Sequence, residues 1–575
     1  MTRPDKRPAL ADGNGDGDGE QKRDDAPVSL THPVSPPVKK RRLAHSSKET
    51  EPPARLPSAS RKVFDSPFRL TKIRDLPREL NKDAITLKQI LGDPLIAECW
   101  EFNYLHDIEL LMAAFDPDVR HLVKVHVVHG FWKKEDPSRL ELEKVASRFQ
   151  NVTLHSAFMP EMYGTHHSKM MILLRHDDTA QIVIHTANMI FRDWANMTQA
   201  VWLSPRLPLM EPSQHDVKPE EAPAGSGAKF KIDLLNYLRA YDTRRAICKP
   251  IIDQLSKHDF SSIRGSLIAS VPGRHKLNDA SPTRWGWAAM EQALKSIPVS
   301  PGKSDIAIQI SSIATLGPTD AWLRNTLFRS LSGGRPGDTL QQPPNFQVIF
   351  PTPDEIRKSL DGYNSGASIH TKIQSAQQVK QLAYLRPMLH HWANDLANGA
   401  GPRGGKGGEE DEGSEGKGKG GYDKDNGDDG EDSASVIREA GRKRAAPHIK
   451  TYIRYGDKSG PSIDWALVTS ANLSKQAWGE AAVRSADGAL TMRIASYEIG
   501  VLVWPELYGE GAVMRGTFLT DSLGPDEVKE ATTAVALRMP YNLPLQPYGE
   551  GEMPWVATAD YSEPDWKGQI WVRRG

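Results

Sequence analysis

The sequence has few cysteines and lacks long apolar runs, and each shortage excludes a class of protein. Its 575 residues include two cysteines, Cys99 and Cys248, and neither lies in a CxxC or a Cys/His cluster. A disulfide framework is therefore excluded, and we expect no structural zinc site and a reducing, intracellular compartment. No segment approaches the roughly 20 apolar residues that span a bilayer. The polar N-terminus does not follow the pattern of a secretory signal, so we expect no membrane partner.

The sequence also lacks an excess of charge of either sign. Its 73 basic and 73 acidic side chains give a formal net charge of zero, which excludes a protein that coats DNA through overall positive charge. Local binding of nucleic acid stays open, because acidic low-complexity segments add to the negative total and can mask a basic face elsewhere.

Two segments lack hydrophobic periodicity. Residues 1–80 are rich in Pro, Ser, Asp, Lys and Arg, and residues 398–435 are dominated by Gly, Lys, Glu and Asp. We interpret the first as a disordered tail and the second as a disordered surface insertion without chemistry of its own.

A compact basic cluster, Lys39-Lys40-Arg41-Arg42, follows a proline-rich stretch in the tail. Such a cluster is typical of a nuclear import signal or a nucleic-acid contact, and the plain alternative is a solvated run of charge. We expect import, and therefore a nuclear protein.

The rest of the chain divides into two halves that each mix strands and helices. Apolar patterns predict strands at 122–128, 170–174, 181–185, 306–310, 346–350, 448–454, 465–469 and 499–503, and helices at 107–115, 285–296, 320–331 and 377–396. This mixture favours an α/β fold of two similar domains, 81–280 and 281–575, each with a mixed central β-sheet flanked by helices. The polar stretch 279–284 is the predicted seam.

One short pattern occurs once in each half. His167-Ser168-Lys169 precedes a strand-like run and a small-residue turn that ends in Asn188, and His448-Ile449-Lys450 is followed in the same way by Asn472. Residues i and i+2 of an extended segment point to the same side, so each histidine projects with its lysine. The duplication predicts one composite active site that receives an imidazole, an ammonium and an amide from each half.

These side chains suit the cleavage of a phosphodiester without a metal ion or another cofactor. Charge that builds on the phosphate oxygens can be stabilised by the lysines and the asparagine amides. One neutral histidine can attack phosphorus, and the other, protonated, can donate to the leaving group and later activate water. A single His-x-Lys is usually a solvated strand face, and we interpret His126, His166 and His185 as ordinary structural histidines.

Duplicated His-x-Lys motifs resemble those of the phospholipase D superfamily, which usually carries H-x-K-x4-D. The aspartate positions hold Leu174 and Tyr455 here, and this departure matches a narrower branch, the tyrosyl-DNA phosphodiesterases. It also argues against a lipid substrate. The resemblance covers most of residues 85–575 outside the insertion, and it rests on the segments 163–171, 183–188, 193–194, 198–199, 202–205, 447–452, 467–475 and 496–500.

The resemblance implies a role for each of these residues. His167 would be the nucleophile that forms a phosphohistidine at the DNA 3′-phosphate. His448 would be the general acid that protonates the tyrosine oxygen, and then the base for hydrolysis. Gln199 and Glu498 would orient the histidines, and the sequence leaves open which of them serves which histidine. The phosphate would be held by Lys169, Lys450, Asn188 and Asn472.

Contacts to DNA follow from the same resemblance. Ser311 and Ser312 stand where the family has a serine pair near the DNA phosphates, with ordinary strand-end serines as the alternative. Tyr163 either stacks on a nucleobase beside the site or belongs to the core. Arg442-Lys443-Arg444 either lines a basic groove or forms the charged margin of the insertion.

Together these implications describe a metal-independent DNA-repair phosphodiesterase that hydrolyses the bond between a topoisomerase I tyrosine and a DNA 3′-phosphate. Its partners would be DNA with 3′-phosphotyrosyl or other 3′-blocked ends and the peptide of the topoisomerase. Two half-sites in one chain favour a monomer. The alternatives are a broader 3′-end-processing phosphodiesterase or nuclease of the same superfamily, and a noncatalytic scaffold that binds DNA ends.

Overall fold

A computed structural model describes residues 61–211, 218, 221–336, 342–394, 436–456, 462–528 and 532–573. The basic cluster 39–42, the 398–435 insertion and most of the predicted tail lie outside the described residues. The described residues belong to a compact unit that spans 59–575. Within the described ranges, no helix has both the length and the apolar character needed to cross a membrane.

The strands are short and are spread over the whole described chain. In chain order they are β1 (Lys62–Phe64), β2 (Phe68–Leu70), β3 (Ile96–Phe102), β4 (Lys124–His129), β5 (Val152–Ser156), β6 (Met170–Arg175), β7 (Ala180–His185), β8 (Ala200–Leu203), β9 (Ser266–Ser270), β10 (Gly273–Lys276), β11 (Asp305–Gln309), β12 (Asn345–Ile349), β13 (Leu389–His390), β14 (Thr451–Tyr455), β15 (Ile463–Thr469), β16 (Val483–Arg484), β17 (Leu490–Ile494), β18 (Glu498–Val503), β19 (Val513–Thr517) and β20 (Thr533–Arg538).

Several helices begin at side chains that cap them. Thr86, Thr352 and Ser375 each accept a hydrogen bond from the backbone of the third helical residue, whose side chain bonds back to the cap. This reciprocal pairing fixes where a helix starts. The α-helices are α1 (Leu87–Leu91), α2 (Ile108–Ala114), α3 (Pro137–Ala146), α4 (Phe191–Ala195), α5 (Gly227–Arg239), α6 (Lys249–Leu255), α7 (Gly286–Leu294), α8 (Arg329–Leu331), α9 (Pro353–Arg357), α10 (Ala376–Leu385) and α11 (Lys475–Trp478). A π-helical segment, Leu323–Phe328, precedes α8.

Two seven-stranded sheets repeat one topology. The first has the order β5-β4-β3-β6-β7-β8-β2, and the second has the order β13-β12-β11-β14-β15-β18-β9. In each sheet the first three strands are parallel and every later pair is antiparallel. The strands after the two His-x-Lys motifs, β6 and β14, hold the same central position. The predicted duplicated α/β fold with mixed sheets is thus confirmed.

The two large sheets share an apolar core. Met170 and Ile172 of β6 enter it, as do Ala466 and Val468 of β15, and helix α5 adds Leu234. The intervening strand residues face separate apolar clusters. Because side chains alternate across a strand, strands buried on both faces have continuous apolar sequences. These rigid central strands position the functional residues at their ends.

The folded part begins before the predicted boundary at residue 80. Strand β1 pairs with β20, β2 pairs with β8, and Phe68, Leu70 and Ile73 are buried. The assignment of residues 61–80 to the disordered tail is therefore corrected. Three-residue strands at sheet edges are too short to produce a periodic pattern, which is why the composition of this segment was misleading.

Two other boundaries also differ from the prediction. Strand β9 pairs with β18 of the second sheet, so the second sheet recruits a strand from before the predicted seam at 279–284. The helix predicted over 377–396 ends at Leu385 and continues as a 3-10 turn, Arg386–Met388, and then β13. Pro387 has no N–H to donate, so the α-helical hydrogen-bond pattern cannot continue through it.

A chain that begins at residue 81 is expected to be less stable than one that begins at residue 61. It loses β1, β2 and the burial of Phe68, Leu70 and Ile73, and burying such a side chain stabilises the fold by about 1.5–3 kcal/mol. Thermal unfolding followed by circular dichroism measures the difference, with the full-length chain as the control. Equal unfolding midpoints for all three chains would contradict the corrected boundary.

Candidate active site

Each His-x-Lys motif lies in an extended segment directly before a central strand. The first precedes β6, and the second precedes β14, which begins at Thr451 rather than at the predicted residue 448. Asn188 follows β7 and Asn472 follows β15. Strands β6 and β7 are antiparallel neighbours, as are β14 and β15. The start of one strand therefore lies beside the end of the next, which brings each asparagine to its motif.

Hydrogen bonds to two tyrosines fix the first motif to the fold. Nε2 of the buried His166 lies 3.0 Å from the hydroxyl of Tyr241. The Ser168 hydroxyl hydrogen-bonds to those of Tyr237 and Tyr241. Alternate residues of an extended segment face opposite sides. Because His166 and Ser168 face the tyrosines, His167 and Lys169 face the site.

A residue of the other half holds the imidazole of His167. Its Nδ1 lies 2.9 Å from Oε2 of Glu498, the first residue of β18, and the same oxygen accepts a hydrogen bond of 2.6 Å from the Ser470 hydroxyl. A carboxylate at Nδ1 keeps the proton there and leaves the lone pair on Nε2. Burial lowers the pKa of His167 below its ordinary value, although Glu498 opposes the shift, so the ring is neutral near pH 7.

The imidazole of His448 is held from the first half. Its Nδ1 lies 3.1 Å from Nε2 and 3.2 Å from Oε1 of Gln199, and 3.2 Å from Oδ2 of Asp193. Each histidine thus contacts the predicted orienting residue of the opposite half, which is the pairing that the sequence left open. Burial, and then the charge of Lys450, lower the pKa of His448 well below its ordinary value.

Both motif lysines are completely buried. Nζ of Lys169 donates to the carbonyl oxygen of His167 at 3.4 Å. Nζ of Lys450 donates to the carbonyl oxygen of His448 and lies 3.3 Å from each of its ring nitrogens. Burial lowers the pKa of Lys169 to about 8, and burial and the neighbouring Lys169 lower that of Lys450. Such a site favours an anion, which would compensate the two buried ammonium groups.

The two asparagines have different partners. The backbone N–H and side-chain Nδ2 of Asn188 both donate to Oδ2 of Asp193, at 2.7 and 3.0 Å. Oδ1 of Asn472 accepts the backbone N–H groups of Ser311 and Ser312, at 3.0 and 2.9 Å. The serine backbone therefore orients the Asn472 amide and leaves its N–H groups for another acceptor.

A cationic groove adjoins the site on the Asn472 side. One cavity of about 500 Å³ is lined by residues that include Ser312, His370, Lys372, Lys475, Arg493 and the acidic Glu480. Arg493 is ion-paired with Glu161 and Glu480, so the excess positive charge of the groove comes from Lys372 and Lys475. A second cavity of about 320 Å³ shares Lys475 and Arg493 and reaches Tyr163. Tyr163 is 78% exposed, which excludes the core alternative. The groove is suited to a polyanion with an aromatic contact at one end.

The donors that converge on the site are ammonium, imidazole and amide groups, which bind anions. Within the described ranges, no group of three or more His, Cys, Asp or Glu side chains is arranged to hold a metal ion. The two positions that hold aspartates in the usual motif are occupied here by residues that pack within the fold. Leu174 belongs to the shared core, and the Tyr455 hydroxyl lies 2.8 Å from that of Tyr541.

Sequence reasoning missed two polar residues of the site, and it misplaced a basic residue that lies outside the site. Asp193 appeared only within a resembling segment, because one aspartate in a short helix forms no pattern. His370 lies near Lys450, which together with burial lowers the pKa of His370. Arg442 fits neither predicted alternative, since it is 1% exposed and lies 3.4 Å from Oδ1 of Asn81.

Comparisons with known proteins agree with this arrangement. The family model described as tyrosyl-DNA phosphodiesterase matches residues 67–549. The probable tyrosyl-DNA phosphodiesterase of Schizosaccharomyces pombe is 29% identical, over 89% of this chain and 96% of the relative. Tyrosyl-DNA phosphodiesterase 1 of Arabidopsis thaliana is 29% identical, over 88% of this chain and 77% of the relative.

A solved structure shares the fold. The crystal structure of the yeast tyrosyl-DNA phosphodiesterase superposes with a TM-score of 0.56 at 19% sequence identity, and the match covers 85% of this chain and 98% of that one. This likeness confirms the predicted phospholipase D-like fold. Because the family model covers most of the sequence, the chain belongs to the tyrosyl-DNA phosphodiesterase family.

Proposed function

We propose that this chain hydrolyses the bond between a tyrosine and a DNA 3′-phosphate, and so removes the remnant of a type I topoisomerase from a DNA end. The observation that carries the proposal is the pair of histidines, each held at Nδ1 from the opposite half, beside two buried lysines. Glu498 and Asp193 lie near both lysines, and a phosphodiester adds further negative charge beside these buried ammonium groups. Family membership supplies the substrate class.

In the first step, Nε2 of His167 attacks phosphorus as a neutral imidazole. Glu498 keeps the ring proton on Nδ1, so the lone pair is on the attacking nitrogen. As the bond to the tyrosine oxygen breaks, His448 gives that oxygen a proton. Tyrosine has an ordinary pKa of about 10, so its oxygen leaves more readily with a proton than as an anion. The product is a phosphohistidine.

In the second step, water replaces the histidine on phosphorus. His448, now neutral, accepts a proton from the attacking water, and the bond between phosphorus and His167 breaks. The DNA is released with a 3′-phosphate. Lys169, Lys450, Asn188 and Asn472 stabilise the phosphate oxygens in both steps.

Binding of the substrate prepares the general acid. In the free enzyme, burial and the two lysines keep His448 neutral. A bound phosphodiester anion offsets those cations and raises the pKa of the imidazole, because a nearby opposite charge favours the protonated form. The proton is therefore available when a phosphate is present.

We place the DNA strand in the cationic groove, with Tyr163 stacked on a base and Ser312 near a phosphate. Lys372 and Lys475 line the groove, which supports this placement. Ser311 acts through Asn472, whose amide it orients. The topoisomerase I-derived peptide leaves on the other side of the phosphate. Both half-sites come from one chain, which supports action as a monomer.

We also propose that the enzyme works in the nucleus. The proposal rests on the basic cluster 39–42 in the sequence and on a substrate that is formed on DNA. Import would require the cluster to be accessible to a receptor that recognises consecutive positive charges.

An oligonucleotide with a 3′-phosphotyrosine is expected to be converted to a 3′-phosphate by the purified protein in EDTA. His167→Ala should lower the rate by about 10³-fold or more, because covalent catalysis requires the imidazole. A sequencing gel separates the products. His126→Ala, which removes a histidine outside the site, serves as the matched control.

Loss of conversion in EDTA would contradict the proposed chemistry, and cleavage of other 3′-blocked ends at equal rates would favour the broader 3′-end-processing function. A denaturing protein gel tests the covalent step. His448→Ala lacks the base for hydrolysis, so labelled DNA should stay covalently attached to the protein and appear as a labelled protein band. The double variant that also carries His167→Ala lacks the nucleophile and should show no labelled protein band.

The specificity constant kcat/KM is expected to fall as the pH rises through about 8. The pKa of Lys169 is lowered to about 8, so its positive charge is present below that pH and is lost above it. In Lys169→Arg the guanidinium stays charged, and the ratio of kcat/KM at pH 9 to that at pH 7 should exceed the wild-type ratio. An unchanged ratio would exclude Lys169 as the source of the alkaline loss.

Replacing Lys39, Lys40, Arg41 and Arg42 with alanine is expected to abolish nuclear accumulation of a fluorescently tagged chain, because the change removes the charges that an import receptor reads. Microscopy measures the nuclear-to-cytoplasmic ratio. Lys22→Ala with Arg23→Ala, in another basic pair of the tail, is the control. A quadruple variant that stays nuclear would eliminate the cluster as the signal.

A further inference from the structure

We propose that Asp193 is a positioning residue for His448: its carboxylate holds the Nδ1 proton of that histidine while Nε2 donates to the tyrosine oxygen and then accepts a proton from water. The proposal rests on the proposed function and assigns to Asp193 a task that the neutral amide of Gln199 cannot perform alone.

The contacts of Asp193 fix its carboxylate against His448. The side chain is completely buried on α4, and its Oδ2 lies 3.2 Å from Nδ1 of His448. The same oxygen accepts two hydrogen bonds from Asn188. Among the described residues, Oδ1 has no hydrogen-bond partner. The carboxylate is thus oriented by a residue of its own half and directed at the histidine of the other half.

A protonated imidazole needs a hydrogen-bond acceptor at Nδ1, and two are within reach. Oε1 of Gln199 lies 3.2 Å away and also accepts the hydroxyl of Thr186, just as Oδ2 of Asp193 also accepts two hydrogen bonds from Asn188. Oδ2 of Asp193 lies at the same distance and belongs to a carboxylate. Hydrogen bonds between ionised groups are roughly twice as strong as neutral ones, so the carboxylate is the better partner for the imidazolium.

The charge of the surroundings makes this carboxylate necessary. The charged or titratable groups that face His448 and Asp193 include Lys450, Lys169, His167, His370 and Arg192. All of these are cations or can become cations, and they oppose a further positive charge on His448. The other carboxylate of the site, Glu498, is hydrogen-bonded to His167. Burial raises the pKa of Asp193, and the hydrogen bond from the Asn188 backbone and the charges of Lys450 and Lys169 oppose that shift. As a carboxylate 3.2 Å from the ring, Asp193 supplies opposite charge in a buried setting, where Coulomb interactions are weakly screened.

A comparison of the halves gives independent support. Asp193 lies five residues after Asn188, and the residue five after Asn472 is Ala477. Gln199 directly precedes β8, whereas Glu498 begins β18, the matching strand of the second sheet. The carboxylate of the first half, Asp193, therefore comes from the helix after Asn188. The carboxylate of the second half, Glu498, comes from the start of strand β18. Each histidine receives one carboxylate from the opposite half.

The test compares two leaving groups in Asp193→Asn, which keeps the shape and removes the charge. On 3′-phosphotyrosyl DNA the single-turnover rate should fall about 10²–10³-fold, within the range of a lost general acid. On DNA with a 3′-(4-nitrophenyl) phosphate, whose leaving group departs as nitrophenolate without a proton, its release in the first turnover should fall less than about tenfold. Hydrolysis of the phosphohistidine should still be slow, because His448 also serves as the base in that step. A rapid first turnover followed by slow later turnovers should therefore appear as a burst.

The matched control is Asp233→Asn, which removes another buried carboxylate, one paired with Lys229 outside the site. It should leave the rates on both substrates unchanged. Thermal unfolding of both variants reports any loss of stability, and KM for the tyrosyl substrate should stay within about threefold of the wild-type value, since the lysines that hold the phosphate remain.

The outcomes separate this role from the proposed function. Equal losses on the two substrates, or no loss on either, with active wild-type protein would overturn the role of Asp193 and leave the function standing. Wild-type protein that cleaves neither substrate would overturn both. A selective loss on the tyrosyl substrate followed by a burst on the nitrophenyl substrate is the expected result.

Discussion

Polar contacts exchanged between the two halves are the interactions on which the site depends. His167 is held by Glu498 of the second half, and His448 is held by Gln199 and Asp193 of the first. Neither half orients its own histidine, so neither is a site by itself. The geometry of the reacting nitrogens therefore depends on how the two large sheets pack. The apolar core that they share fixes the position of one half relative to the other.

Burial of positive charge is the constraint that gives this site its chemistry. Two lysines and a histidine with little or no exposed surface are costly to bury even beside the carboxylates of Glu498 and Asp193, and burial lowers their pKa values. Both histidines are therefore neutral before a substrate binds. A bound phosphodiester adds negative charge beside these groups. Recognition of the phosphate is therefore coupled to the protonation of His448 that catalysis requires.

The duplicated fold has kept its topology while its side chains have diverged. The strand orders of the two large sheets correspond position by position, and the His, Lys and Asn residues occupy matching places. The carboxylates do not, because one comes from α4 and the other from the start of β18. The places where the superfamily usually has aspartates hold Leu174 and Tyr455, which pack in apolar surroundings or against another tyrosine.

The sequence by itself predicted the fold class and the two sets of His, Lys and Asn residues, because short motifs at fixed spacing and apolar runs of strand length are local signals. Gln199 and Glu498 were implied by the family resemblance. Only the tertiary structure decided that Glu498 serves His167 while Gln199 serves His448, that Asp193 joins the site, and that residues 62–64 and 68–70 form edge strands. The partners in these contacts are separated by up to several hundred residues. No local pattern encodes such contacts, which exist only once the two sheets have packed together.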